Sequence, residues 1–117
     1  MALNNLPKIT MVTPCFNHEE FIAETIESVV SQGYPNLEYI VINDGSTDNS
    51  EKEILNFSKY ITKYEYWKGN RSSPVWALNR AFNYASGEIY GWISSDDILL
   101  KNSLFTVNKV QTRFYKE

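Results

Sequence analysis

Short apolar runs alternate along the chain with stretches of helical spacing. Ile9 to Thr13 is apolar and β-branched and is closed by Pro14, which reads as a buried strand. Asn17 with Glu20 three residues on has the spacing of a capping box, and Glu19 and Glu20 suit the positive end of a helix dipole. Ile22, Ile26, Val29 and Val30 then fall on one helical face, which Gly33 and Pro35 stop. Leu37 to Ile42 repeats the strand signature and ends in the turn Asn43-Asp44-Gly45-Ser46. Thr47 or Asp48 can cap a second helix with Ile54, Phe57 and Ile61 or Tyr60 inward. Thr62 to Trp67 alternates Tyr64 and Tyr66 with charged residues, the pattern of a half-exposed edge strand. Lys68 to Ser73 is a loop, and Ser73-Pro74 is a helix start with proline at the first helical position. Leu78, Ala81, Phe82 and Ala85 make its inner face, and Gly87 is its stop. Glu88 to Ser94 is another strand, ended by Ser95-Asp96-Asp97. A last helix starts near Asn102 or Ser103, with Leu104, Val107, Val110 and Phe114 inward.

Strand and helix thus alternate four times. Right-handed crossovers turn that order into an α/β fold: a Rossmann-like, doubly wound, mainly parallel sheet with helices on both faces. No linker, repeat or low-complexity tract divides residues 1–117, so one domain is expected. Ligands of such sheets bind beyond the carboxyl ends of the strands. The positions to weigh are therefore Thr13 to Asn17, Asn43 to Asp48 and Ser94 to Ile98.

Composition narrows the class. The 117 residues are 43% hydrophobic and 21% charged, enough apolar side chain to build a core and against intrinsic disorder. A formal net charge of -3 gives no basic footprint, so nucleic acid is not an expected partner. The single cysteine, Cys15, cannot close an internal disulfide, which fits a reducing compartment. Met1 to Lys8 lacks a signal-peptide layout, and no stretch approaches the ~18 apolar residues of a membrane span. The expected location is the cytoplasm, including the cytoplasmic face of a membrane.

The strand ends lack several common chemistries. There is no glycine-rich phosphate loop ending in Lys-Ser or Lys-Thr, and no Gly-x-Gly-x-x-Gly after the first strand. No Cys/His cluster suggests zinc. The lone His18 reads as a solvated surface residue, and Cys15 as a packed, inert thiol. Carboxylates and hydroxyls remain. Asp96 and Asp97 follow an apolar strand without a basic neighbour. Adjacent carboxylates repel, and a hard cation such as Mg2+ or Mn2+ would compensate them while completing its shell with substrate phosphate oxygens. The pair alone equally fits a solvated turn, and Asp44 before Gly45 equally fits a plain turn residue.

The combination is more specific. Thr13-Pro14-Cys15-Phe16-Asn17, Val41-Ile42-Asn43-Asp44-Gly45-Ser46-Thr47-Asp48, Ala77-Leu78-Asn79-Arg80-Ala81-Phe82 with Ala85-Ser86-Gly87-Glu88-Ile89, and Trp92-Ile93-Ser94-Ser95-Asp96-Asp97 occur in this order. This resembles the N-terminal half of family 2 glycosyltransferases, which have the GT-A fold, and the resemblance runs from about Lys8 to the last helix. It implies transfer of a sugar from a nucleotide-diphosphate sugar, with UDP-sugar the expected donor. The implied acceptor is a glycan or glycolipid in cell-surface polysaccharide assembly.

By the same resemblance Thr13, Pro14 and Phe16 line the nucleobase pocket, Phe16 standing where relatives often carry Tyr. Asp44 accepts a hydrogen bond from the uracil ring N–H. Ser95, Asp96 and Asp97 form the DxD-type motif. Asp97 ligates Mn2+ or Mg2+, and Asp96 contacts ribose or the metal's water. Asn79 and Arg71 are candidate sugar and diphosphate contacts. Trp76 stands where relatives often carry a small polar or acidic residue. Trp67 and Trp92 read as packing residues. The family's second half carries the acceptor site and the catalytic base, so no residue of this chain is assigned as that base. The chain is expected to be a donor-binding half with an exposed sheet edge through which it can self-associate. A non-catalytic nucleoside-diphosphate and metal module is the alternative, and a receiver-like signalling domain the third reading.

Overall fold

A computed structural model describes residues 6–68 and 74–106. Four strands, β1 Ile9–Cys15, β2 Leu37–Asn43, β3 Lys63–Tyr66 and β4 Ile89–Trp92, form one sheet in the order β3-β2-β1-β4. Every pair is parallel, and β1 and β2 pair along their whole length, from Ile9↔Leu37 to Cys15↔Asn43. Helices α1 Ile22–Val30, α2 Ser50–Leu55 and α3 Pro74–Tyr84 make the crossovers. The α/β, doubly wound reading holds: the sheet is parallel and helices cover both of its faces.

Side-chain parity explains the two layers. Ile9, Met11, Cys15, Tyr39, Val41 and Ile89 face Ile22, Ile26 and Val29 of α1 and Ile54 of α2. Val12, Ile40 and Ile42 point the other way, onto Ala77, Leu78 and Ala81 of α3. Both faces of β1 are covered, so its seven residues are all buried and read as one apolar run. Each buried Ile or Val of α1 stabilises the packing by about 1.5–3 kcal/mol. The edge strand β3 is half exposed, as its tyrosine–charge alternation predicts.

Several expectations need correction. The first strand does not stop at Pro14: β1 runs on to Cys15, with Pro14 opposite Ile42. Ile9 N–H donates toward β2, to Asn36 O, so by alternation the Pro14 nitrogen faces the β4 side. The β4 ladder has ended there, at Val12↔Trp92 and the Ile93 N–H to Val12 O bond of 3.0 Å, so no ladder bond is lost. Asn17 does not cap α1. It lies at φ 52, and the first turn closes on His18 O instead, with Ile22 N–H at 2.9 Å. Helix α2 ends at Leu55, and a 3-10 turn, Ser58–Tyr60, follows; Phe57 and Ile61 still pack on the core while Tyr60 is exposed. Helix α3 ends at Tyr84, so Ala85 lies past it. Gly87 is not a left-handed cap: a Cβ there would sit 2.4 Å from Thr10 Oγ1, and close backbone approach is what requires glycine. Strand β4 is shorter than Glu88 to Ser94. Residues 103–106 form a helical turn with Leu104 buried, while Ser73, Val107, Val110 and Phe114 lie outside the described residues.

Candidate functional site

Because β2, β1 and β4 are parallel neighbours, the segments after them meet at one end of the sheet. The loops after β1 and β2 clasp each other. Asn17 Oδ1 accepts from Thr47 N at 2.8 Å and Asp48 N at 3.3 Å, and Ser46 Oγ accepts from Asn17 N at 2.9 Å. Ser50 Oγ accepts from His18 N, Asp48 Oδ2 from Glu19 N, and Glu19 Oε1 from Asn49 N, at 3.0–3.1 Å. Asp44 N donates to Cys15 O at 2.8 Å, extending the ladder into the clasp. The turn works because Asn17 and Gly45 accept left-handed backbone, at φ 52 and 80, which suits Asn and Gly. The cap of α2 is Asn49, which makes no side-chain cap hydrogen bond, rather than Thr47 or Asp48; Asp48, one residue before it, still accepts from Ser50 N at 2.9 Å. Burial works against its ionisation, but these hydrogen bonds outweigh that and hold its carboxyl below the usual range.

Buried Asn43 supports the clasp from below. Its Oδ1 accepts from Ser46 N, and its Nδ2 donates to Tyr64 OH, which donates to Glu51. Cys15 lies where the loops converge, beside the hydroxyls of Ser50, Ser95 and Ser46, and burial pushes its thiol up.

The acidic turn after β4 is built differently. The Thr25 hydroxyl of α1 lies 3.0 Å from Ser95 O and 2.6 Å from Asp97 O. Asp97 N donates to Ser94 O, and Leu99 N donates to Ser28 Oγ at 2.9 Å. His18 Nδ1 is hydrogen-bonded to the buried Ser95 hydroxyl. Asp96 and Asp97 themselves are exposed, and neither joins an ion pair among the described residues.

Each sequence candidate can now be placed. Phe16 is 38% exposed at the site's mouth, so it is no core aromatic. Asp44 stands at the end of β2 and is 5% exposed. Thr13 and Pro14 lie beneath: Thr13 is fully buried, and its hydroxyl shares a 2.7 Å hydrogen bond with Tyr39. Asp96 and Asp97 are on the β4 side. Asn79 is exposed on α3, and Arg71 lies outside the described residues. The neighbouring Arg80 anchors α3 instead, 3.5 Å from Glu65 and 4.8 Å above the Trp67 ring. Trp67 packs as expected, edge-on to Trp76, but Trp92 does not: it is 48% exposed on the outer strand. His18 is half-buried and engaged rather than solvated.

Among the described residues no three His, Cys, Asp or Glu converge into a protein-only metal cage. The donor set nevertheless fits a hard cation of the kind that takes one or two carboxylates and keeps water or substrate oxygens for the rest. Adjacent exposed carboxylates on an anchored turn, with no cationic partner among the described residues, are that set.

Sequence reasoning missed the clasp and its hydroxyls. Asn17, Ser46, Ser50, Thr25 and Ser28 act across about 29–72 positions of sequence, and no local pattern announces such bonds.

The model of "Glycosyl transferase family 2" matches residues 10–109. An Escherichia coli protein named UDP-Glc:alpha-D-GlcNAc-diphosphoundecaprenol beta-1,3-glucosyltransferase is 38% identical over 100 residues, 82% of this chain and 38% of its own length. Staphylococcus aureus TarS, solved in complex with UDP, superposes with a TM-score of 0.83 at 25% identity over 91% of this chain and 32% of that one. A Pyrobaculum calidifontis mannosyltransferase, solved with GDP-Man and Mn2+, gives a TM-score of 0.78 at 24% identity over 93% of this chain and 33% of that one. The chain spans between 15% and 38% of the length of curated relatives such as the first of these.

Proposed function

This chain belongs to glycosyl transferase family 2, and we propose that it is the donor-binding part, residues 1–117, of an enzyme that passes a sugar from a UDP-sugar to a glycan or lipid-linked acceptor. One observation carries this reading: the segments after β2, β1 and β4 form one structure at the carboxyl end of the sheet, presenting Asp44, Phe16 and the Asp96–Asp97 pair in lateral order. The S. aureus neighbour's complex with UDP supports the nucleotide. The E. coli relative's name, with its UDP-glucose donor and diphosphoundecaprenol-linked acceptor, supports the acceptor class; a place in the cytoplasm or at the cytoplasmic face of a membrane is part of the same proposal.

In this reading Phe16 packs on the base, and Asp44, acceptor-only when ionised, takes the ring N–H. Thr13 and Pro14 set the floor. Asn79 on α3 is a candidate contact to the sugar or diphosphate, as is Arg71, which lies outside the described residues. Asp97 and Asp96 would hold Mn2+ or Mg2+, a Lewis acid for the departing diphosphate when bound. In the transfer, the bond from the anomeric carbon to the diphosphate oxygen breaks, and its electron pair leaves with UDP. The acceptor hydroxyl oxygen bonds that carbon and gives its proton to a base. No residue of this chain is assigned to that base, so binding without turnover is the second reading for the chain alone. The outer edge of β4, with Tyr90 and Trp92 exposed, is proposed as a self-association surface, read by sedimentation at rising concentration.

An NMR titration with UDP tests the assignment. Amide shifts are expected at Phe16, Asp44 and Gly45, and Asp44→Asn is expected to weaken uridine and UDP alike. Shifts confined to other surfaces, or an Asp44→Asn chain that binds as well as wild type, would contradict it.

A further inference from the structure

We propose that His18 is a positioning residue that joins the two sides of this site, carrying the placement of the β1–β2 loop clasp to the acidic turn and so setting where Asp96 and Asp97 stand. The functional half of this rests on the donor-site reading above; the structural half does not.

The acidic turn is held from one side. The β1–β4 ladder ends with Ile93 N–H on Val12 O, and the bonds of residues 95–97 beyond it run toward α1 and the β1 loop. Thr25 fixes the turn's backbone against α1 through two carbonyls. That contact carries no information about the loops after β1 and β2. Two groups do reach the turn from β1, the Cys15 thiol and the His18 imidazole, and both meet Ser95. A thiol is a weak hydrogen-bonding group, so the imidazole is the stronger link.

The same His18 donates its backbone N–H to Ser50 Oγ at 3.0 Å, and Ile22 N–H of α1 closes on its carbonyl. One residue of the loop after β1 therefore touches the start of α2, the start of α1 and the acidic turn. Its ring is set edge-on to Phe21 at 6.0 Å, and its serine partner is only 2% exposed, so water has little room to take its place. A stiff ring between a clasped loop and a one-sided turn transmits position from one to the other.

Hydrogen exchange on the nucleotide-free chain tests this. In His18→Ala the Asp97 amide, which donates to Ser94 O, is expected to exchange about fivefold faster, the size of one lost hydrogen bond. The Asp44 amide, on Cys15 O, should keep its rate. Ser95→Ala should act like His18→Ala, and the double variant no more than either, because both remove one link. His18→Asn, whose amide can stand where Nδ1 stands, should restore the rate. An unchanged Asp97 rate in His18→Ala, effects that multiply in the double variant, or equal acceleration at Asp44 would overturn the proposal. Calorimetry then reads the functional half: His18→Ala should lose the affinity that Mn2+ adds to UDP while keeping its affinity for uridine, and equal loss of both would count against it. A wild-type chain that binds no UDP would sink the donor-site reading, and the exchange rates would still decide the role of His18.

Discussion

At the amino end of the central strands, Glu38 Oε1 accepts from Thr10 Oγ1 at 2.6 Å and Ser86 N at 2.8 Å, and its second oxygen accepts from Ser86 Oγ at 3.0 Å. Lys8 Nζ donates to the same serine, and Gly87 N donates to Thr10 Oγ1. At the carboxyl end the same three strands are tied by hydroxyls, amides, backbone N–H groups and the carboxylates of Asp48 and Glu19, while the side chains of Asp96, Asp97 and Phe16 stand outside the ties. One end uses its carboxylate as a strut. The other leaves its paired carboxylates to solvent. Like charges kept side by side, with no ion-pair partner among the described residues, do nothing for the fold, and in the donor-site reading they are the groups left for a cation.

Substitution can break this contrast. The largest effect is expected at the amino end, from Gly87→Val. Its Cβ would meet Thr10 Oγ1 at 2.4 Å and Thr10 N at 2.7 Å, and backbone cannot swing aside as a side chain can. Denaturant unfolding should show a loss of about 3 kcal/mol, with nucleotide affinity of the folded fraction unchanged. Next comes Asn17→Ala at the other end. It removes an acceptor of two N–H groups and places alanine at φ 52, for about 1–2 kcal/mol. Here UDP affinity should fall along with stability, and an unchanged affinity would mean that the clasp is only structural.

The smallest effect is the pH dependence of the amino-end strut. Burial opposes ionisation of Glu38, but the bonds from Thr10 and Ser86, with Lys8 near, hold its carboxyl below its ordinary value of 4.5. A lowered folded pKa gives stability that is complete above the unfolded value and lost as pH falls through the folded one. Unfolding followed below pH 4.5 should therefore lose this contribution in wild type, and Glu38→Gln should flatten that part of the curve. A curve that Glu38→Gln leaves unaltered would remove the strut from the account.

The sequence showed some of these features and hid others for physical reasons. Strands β1 and β2 were legible because burial on both faces demands unbroken apolar runs, and Ile22, Ile26 and Val29 because a single face is covered. The end of the sheet that holds the candidate site followed from topology alone. Asn17 and Gly87 were misread because each obeys a local rule in form while answering a distant partner, Thr47 in one case and Thr10 in the other. His18 read as a surface residue for the same reason: Ser95 lies 77 positions away. Local spacing carries propensity, and the site is assembled from contacts that propensity does not encode.

The most direct measurement is calorimetry of UDP binding with and without Mn2+, on wild type and Asp97→Asn. The account predicts that Mn2+ strengthens binding to wild type and that Asp97→Asn abolishes the gain, with unfolding free energy held within about 0.5 kcal/mol for an exposed side chain. Binding that ignores Mn2+ in both chains, or a folded wild type that takes up no UDP, would contradict it.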